Sequence, residues 1–597
     1  MMFKIKKQGR LLIAAGLLAS AASPLLAQSE SAAPPPAPPS PSTNAMVNLI
    51  RLLVQQGTIT QANGDALLRQ AETEAGQARV ATAPGDLPPP APGTIRVPYV
   101  PETVRNQIRD EIKSEVMKQA QAEGWAAPEK AAPAWVNGVK LSADVRVRSQ
   151  SEFYSKDNAN DIPDFAAINA TPGGFDFTKN FSNITAINTR QDRLNRMRIR
   201  ARLGAEFEIS KFASIAMRLA TGDDTSPIST NQILGGGLGK RNIWLDEGYL
   251  KLMPTEWANA SFGRFPNPFA STDLVFDRDV NFDGVAVEAN ASTVLPDSMT
   301  LAARAGAFPL DFGSSDFPNT GYDKKSYPSK WLFAGQIEGG YDFGGGVQFR
   351  AAAAYYKFKN VQGQLSEPCL FNGPTVGING NDPIECSTDG TRAFFLRKGN
   401  TLFFLRNITV LSPDKVAASN RQYFGLTYRY SLLDLNASLT VPIGSEIKAS
   451  LLGDYVRNLA YKKSDACRNG PDIGAPQTNV ISVNGNDNPC TTTDPAKLVS
   501  GNDGYLIRLT VGHKRPHKWG EWSITGDYRY LQTDAVLDSL TDSDFHLGGT
   551  NTKGYTIAGT LGLFDGVSLT GRWMSANEIT GRPLAIDVFQ IDLSAEF

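Results

Sequence analysis

Apolar and polar side chains trade places along most of this chain, most cleanly at its C-terminal end. Phe589, Ile591, Leu593, Ala595 and Phe597 share one parity; Gln590, Asp592, Ser594 and Glu596 share the other. Successive side chains of an extended strand point to opposite faces, so this segment has one apolar and one polar face. Upstream, Trp522, Ile524, Tyr528 and Tyr530 oppose Ser523, Thr525, Asp527 and Arg529, and Val567, Leu569 and Trp573 oppose Ser568, Thr570 and Arg572. Alternating segments of about ten residues, rich in aromatics and separated by turn residues, predict an all-β transmembrane antiparallel β-barrel. A soluble β-sandwich also alternates. The leader, the strand count and the terminal aromatic favour the barrel.

Sixteen such segments can be laid out, near 139–151, 193–209, 213–222, 243–253, 257–265, 282–290, 298–308, 331–343, 347–359, 421–441, 446–460, 504–514, 519–533, 553–564, 567–577 and 586–597. Their connections alternate in length. Short ones such as Ser210 to Phe212, Gly344 to Gly346 and Asp565-Gly566 follow longer ones such as 152–192, 266–281, 360–420 and 461–503. Outer-membrane barrels show this asymmetry, with tight periplasmic turns and long outer loops. The stretch Thr401 to Leu411 could add a strand if it found a partner, so eighteen is the runner-up count.

Ahead of the barrel (137–597), the chain reads as helices between proline-rich linkers. Residues 28–43 form a spacer and 83–101 a second linker. Within 44–82, Met46, Leu49, Ile50 and Leu53 follow the spacing of an amphipathic helix. Residues 102–124 place Val104, Ile108, Ile112 and Val116 on one stripe that drifts about 40° per four-residue step. That stripe wants an apolar partner. A coiled coil with copies of itself and packing against the periplasmic mouth of the barrel both remain open. The expectation is an N-terminal α-helical periplasmic segment.

Residues 1–27 read as a secretion signal, with Lys4, Lys6, Lys7 and Arg10 before the apolar run Leu11 to Ala22. Without those four basic residues the formal net charge of −1 becomes −5, which argues against a nucleic-acid partner. The four cysteines fall in two polar loops, and in an exported chain they predict disulfides Cys369–Cys386 and Cys467–Cys490. His513, His517 and His546 are too few and too scattered for a metal site or a catalytic triad, so no enzyme, metal or cofactor is expected.

Several runs carry a resemblance: Gly263-Arg264-Phe265-Pro266-Asn267-Pro268-Phe269, Asn281-Phe282-Asp283-Gly284-Val285-Ala286, Gly306-Ala307-Phe308-Pro309-Leu310, and the stretch Trp519 to Gly554 with Gly526-Asp527-Tyr528-Arg529-Tyr530 and Asp542-Ser543-Asp544-Phe545-His546-Leu547-Gly548-Gly549-Thr550. These resemble the bacterial outer-membrane family labelled "putative porin". The resemblance implies a passive, trimeric channel in a Gram-negative outer membrane and supplies no solute.

A sixteen-stranded barrel is wide enough for an aqueous channel whose inner wall selects what passes. Arg196, Arg198, Arg200 and Arg202 share one parity of the second segment, followed by Glu206 and Glu208; Met197, Ile199, Ala201 and Leu203 take the lipid side. Turned to lipid, each arginine would cost about 2–4 kcal/mol at mid-membrane. Arg218 is assigned to the same pore lining. Such a ladder attracts anions unless neighbouring carboxylates neutralise it. The loop 266–281, with Asp273, Asp277, Arg278, Asp279 and nearby Arg264, is expected to fold inward as an acidic constriction facing the basic wall. The reading is an outer-membrane porin passing small polar or anionic solutes with a modest anion preference. Its expected partners are outer-membrane lipid and further copies of itself. The alternative is an anchor or interaction protein whose helices bind the cell wall or a periplasmic partner.

Overall fold

The alternation closes on itself. In the computed structural model the wall consists of β1 (Val139–Tyr154), β2 (Arg193–Ser210), β3 (Ala213–Thr221), β4 (Ile243–Thr255), β5 (Ala258–Pro266), β6 (Asn281–Asn290), β7 (Met299–Asp311), β8 (Lys330–Asp342), β9 (Gln348–Lys359), β10 (Ser431–Pro442), β11 (Lys448–Asn458), β12 (Asp503–Gly512), β13 (Trp522–Leu531), β14 (Thr552–Phe564), β15 (Val567–Glu578) and β16 (Ile586–Glu596). Every strand is antiparallel to its neighbours. β1 lies between β16 and β2, with Val147 opposite both Leu593 and Ile199, so first and last strands share a seam and no edge is left unpaired. The two-residue strand Gln232–Ile233 adds to the outer part of β2.

The structure describes residues 138–597 except 161, 172–173, 177–184, 224, 292–293, 314–325, 367, 371–387, 410–420 and 469–498, together with Asp65 and Arg69. The chain divides into residues 1–116 and 117–597. In the first unit Asp65 and Arg69 are helical, and Arg69 Nε donates to the Asp65 carbonyl at 3.3 Å. The leader 1–27, the linkers 28–43 and 83–101, the helix 102–124 and the rest of 44–82 lie outside the described residues. So do the side chains of Cys369, Cys386, Cys467 and Cys490.

The two faces of the wall sort as the alternation dictates. Leu203, Met217, Ile337, Ile507, Ile557 and Leu593 are among the exposed apolar side chains of the outer face, a surface suited to lipid and not to water. The opposite parity carries Gln336, Asp434, Asp454, Arg148 and Gln590, all buried inside the barrel.

What buries them is the outer loops, which turn inward. Residues 267–280, between β5 and β6, run across the lumen: Ala270 bonds to Gln336 of β8 and Asn436 of β10, Thr272 to Asp454 of β11, Asp273 to Arg508 of β12, and Asp279 to Arg202 of β2. A second strap, 532–551, lies beside it. The Asp277 amide donates to the Leu540 carbonyl at 2.7 Å, and the Asp542 amide to the Asp273 carbonyl at 3.2 Å. Between strap and wall sits an apolar core with Phe269, Phe276, Phe282, Phe308 and Tyr356 in edge-to-face contacts such as Phe276–Tyr356 at 5.1 Å. Val536, Leu537 and Leu540 extend the core from the second strap.

The segment expected as a strand over 421–441 divides. Only Ser431–Pro442 joins the wall; Phe424–Leu426 pairs with Leu402–Phe404 inside the barrel. Tyr428 and Tyr430 are buried, and so is Thr427 on the opposite parity. A segment buried on both faces belongs to an interior, so its alternation carries no inside-or-outside information. The same pairing takes up Leu402–Phe404, and the wall stays at sixteen strands.

Candidate functional site

The inner wall of β1 and β2 carries six arginines in register, with Arg146 opposite Arg200 and Arg148 opposite Arg198. Arg196 and Arg202 flank these two rows. Like charges directly opposite one another repel, and carboxylates of β1, β16 and the two straps pair with four of the six. Asp144 of β1 binds Arg200 at 2.9 Å and Arg202 at 2.6 Å. Glu152 sits 3.6 Å from both Arg193 and Arg198. Asp592 of β16 and Asp544 of the second strap each bind Arg148 at 2.7 Å. The sequence-predicted ladder Arg196, Arg198, Arg200 and Arg202 thus has the expected parity. Arg146 and Arg148 were missed, although Asp144-Val145-Arg146-Val147-Arg148 carries the same alternation.

The predicted loop residues are mostly brought together. Asp279 spans from the strap to Arg202 at 3.3 Å and Arg200 at 3.6 Å, and accepts from the amide and hydroxyl of Thr230. Asp273 reaches the far wall, 2.9 Å from Arg508 and 3.9 Å from Arg529, and also binds Arg278 at 3.2 Å. Burial opposes its charge, but those three guanidiniums hold its carboxyl well below the usual range. Asp279 is likewise held down by Arg200 and Arg202 against the cost of burial. Asp277 goes the other way: burial, then Asp542 and Asp279, push its carboxyl well above the ordinary value. It caps the strap by accepting from the Asp279 and Ser543 amides.

Arg218 is saturated by Asp246 at 2.7 Å and Glu247 at 2.5 Å. Glu206 stands opposite Lys140 and Glu208 opposite Ser214, nearer the short turn between β2 and β3 and away from the straps. Arg264 does not join the constriction. The alternation of β5 runs on through Gly263: Phe262 is exposed on the outer face and Phe265 enters the core, so Arg264 takes the parity of Phe262 and pairs with the exposed Asp283 at 3.0 Å. Arg278 is 74 % exposed and pairs with Asp273 of its own strap at 3.2 Å.

The second strap is the larger omission of the sequence reading. Asp542 binds Arg529 at 2.8 Å, and Asp544 adds Arg572 at 3.5 Å to its contact with Arg148. His546, fully buried, accepts from Lys398 Nζ through Nδ1 at 2.6 Å and donates from Nε2 to the Leu584 carbonyl at 2.7 Å. The available signal was Val536, Leu537, Leu540 and Phe545, four large apolar residues in a segment read as an outer loop. Among the described residues no group of His, Cys, Asp or Glu is arranged to hold a metal ion.

Straps bearing carboxylates thus cross a barrel whose wall is basic on β1 and β2, which sets charges of opposite sign across the same space. A family model described as "Putative porin" matches residues 43–597. No curated protein matches the sequence. Among solved structures, OprB of Pseudomonas putida at high pH is 10% identical, covering 79% of this chain and 96% of its own, with a TM-score of 0.39. A loop L8 deletion mutant of OmpT, an outer membrane protein of Vibrio cholerae, is 10% identical over 77% of this chain and 100% of its own, at 0.35. The outer membrane channel DcaP of Acinetobacter baumannii is 11% identical over 77% and 98%, at 0.34.

Proposed function

The chain belongs to the "Putative porin" family, and on that premise we propose that it is a passive outer-membrane channel for small polar solutes with a modest anion preference. The observation that carries this is the strap 267–280, which sets Asp279 against Arg200 and Arg202 and Asp273 against Arg508 across the lumen. A solute meeting that constriction crosses a field between acidic straps and basic wall. The preference is modest because Asp144, Glu152, Asp279, Asp544 and Asp592 neutralise much of the ladder. In the same proposal the protein is a homotrimer with its N-terminal helices in the periplasm; chemical cross-linking of the folded protein counts the copies.

The test is the reversal potential of the purified channel in a salt gradient across a planar bilayer. Replacing Arg198 and Arg200 with glutamine should move it toward cation preference, and an unchanged potential defeats the anion reading. The apolar core that the straps build within the barrel supports a second reading, a plugged anchor. Wild-type protein that inserts and carries no current would select it.

A further inference from the structure

Of the six arginines, Arg146 and Arg196 pair with no carboxylate among the described residues, and of these two it is Arg146 that keeps a shielded guanidinium nitrogen without a partner. Arg148, Arg198, Arg200 and Arg202 each lie within 3.6 Å of a carboxylate, and the five carboxylates involved are shared with Arg193 and Arg572. Among the described residues Arg146 meets none within ion-pairing distance. One of its terminal nitrogens donates to the neutral Asn231 Oδ1 at 2.7 Å, and its Nε is shielded with no partner. An unpaired guanidinium directly opposite another is unfavourable.

Its row explains what could pair with it. Across the seam Arg146 stands opposite Ser594 of β16, and Ser594 opposite Ser568 of β15. Both serines have the inward parity and are partly accessible. Adjacent strands lie about 4.8 Å apart, so a guanidinium and two hydroxyls line one shelf some 10 Å wide. A guanidinium offers paired donors matched to the oxygens of a carboxylate or phosphate, and hydroxyls donate to whichever oxygens remain. The shelf lies one row on the periplasmic side of the Arg148–Asp544 contact, where a solute would arrive after passing the second strap.

We infer that Arg146, Ser594 and Ser568 form a resting station for an oxyanion, the carboxylate or phosphate group of a small solute, just inside the constriction. This rests on the anion-conducting reading above and sharpens it to one residue. Arg146 is a binding residue in this scheme, since it would touch the solute itself. Arg148, locked between two carboxylates, is a wall residue that holds the strap.

Isothermal titration of the detergent-purified full chain with inorganic phosphate, and separately with acetate, tests the station without requiring conduction. Wild type should bind at least one of them saturably in the millimolar range, and the tighter of the two names the favoured head group. Arg146→Gln should weaken that binding at least tenfold, Arg146→Lys less, and Ser568→Ala with Ser594→Ala about threefold. Heat-modifiable gel migration verifies that each variant is folded. Saturable binding that survives in Arg146→Gln overturns the station, as does a wild type that binds neither anion. Reversal potentials on the same preparations keep the two claims apart: a cation-selective wild type overturns the anion reading, whereas an anion-selective channel with unaltered phosphate binding in Arg146→Gln overturns only the station.

Discussion

Arg148 of β1 and Asp544 of the strap 532–551 meet at 2.7 Å inside the barrel, and the arginine side chain is 1% exposed. On its other side Arg148 binds Asp592 through Nε and a terminal nitrogen, at 2.7 and 2.9 Å. One buried cation therefore ties the seam of the barrel to the loop that crosses its interior.

Breaking that tie should free the strap without opening the wall, because the β16–β1 ladder is held by backbone pairing from Asp144–Glu596 to Tyr154–Ile586. Removing one partner of a buried ion pair costs about 3–5 kcal/mol, lessened here because Arg572 also reaches Asp544. Arg148→Met is expected to speed amide hydrogen exchange across residues 532–551 and to raise single-channel conductance. Exchange that stays at the wild-type rate would show that the apolar anchors Val536, Leu537 and Leu540 hold the strap alone.

Asp279→Asn should act in the opposite sense to loss of a ladder arginine. It removes the strap carboxylate shared by Arg200 and Arg202 and leaves Asp144 to serve both. The lumen gains one net positive charge at its narrow level, so the reversal potential is expected to shift toward anions. The Thr230 hydroxyl can still bond to the amide, which limits the structural disturbance. A shift toward cations would contradict the transverse arrangement of charge.

The wall was legible in the sequence because each strand with one lipid face writes its orientation at a period of two. That logic gave Arg196, Arg198, Arg200 and Arg202 one parity, and in the structure they stand opposite Gln150, Arg148, Arg146 and Asp144 of β1. Arg264 was assigned to the constriction by its nearness in sequence to the loop, whereas its parity is that of the exposed Phe262; over 421–430 burial on both faces erases the distinction between inside and outside. Apart from 266–281, expected to fold inward, the long connections were read as outer loops, yet 532–551 also fills the barrel. Leu274, Val275 and Phe276 in one strap and Val536, Leu537 and Leu540 in the other have no strand or helix period, so only their apolar character hinted at burial. Their partners, Phe308 and Tyr356 on the wall, are remote in sequence and could not be paired with them in advance.

The straps cross a third segment at two glycines. Gly399 (φ 113°) and Gly549 (φ 94°) lie back to back: a Cβ on Gly399 would collide with the Thr550 carbonyl, and one on Gly549 with the Lys398 carbonyl. The Thr550 amide donates to that same Lys398 carbonyl at 2.9 Å. Gly549→Ala combines a positive φ with this close approach, so a destabilisation of about 1–3 kcal/mol is expected. Limited proteolysis should cut near residues 397–401 or 546–551 faster in the variant, while the barrel core stays resistant. Equal cleavage rates would mean that the crossing can separate at no cost.

The straps also predict a pH response whose sign can be worked out. Burial pushes the Asp534 carboxyl up to about 6 and that of Asp538 up to about 7, and Asp277 is raised in the same direction. Asp534 faces Thr401, Thr533 and Tyr430; Asp538 faces Arg397 and Asn400. Between pH 4 and 7 these groups keep protons in the docked strap that a released strap would give up, so docking weakens as pH rises through that window. His546 opposes the trend. Burial, then Lys398, holds its imidazole well below the ordinary value, so docking loses stability as pH falls below about 6.5. Three carboxyls against one imidazole leave the straps tightest near pH 4–5 and loosest above pH 7, where conductance should be greatest. Asp538→Asn should flatten the profile and His546→Ala should steepen it. The readout is hydrogen exchange at residues 532–546 from pH 4.5 to 8, corrected for intrinsic rates. Protection that increases with pH across this range would show that His546, and not the buried carboxyls, governs the straps.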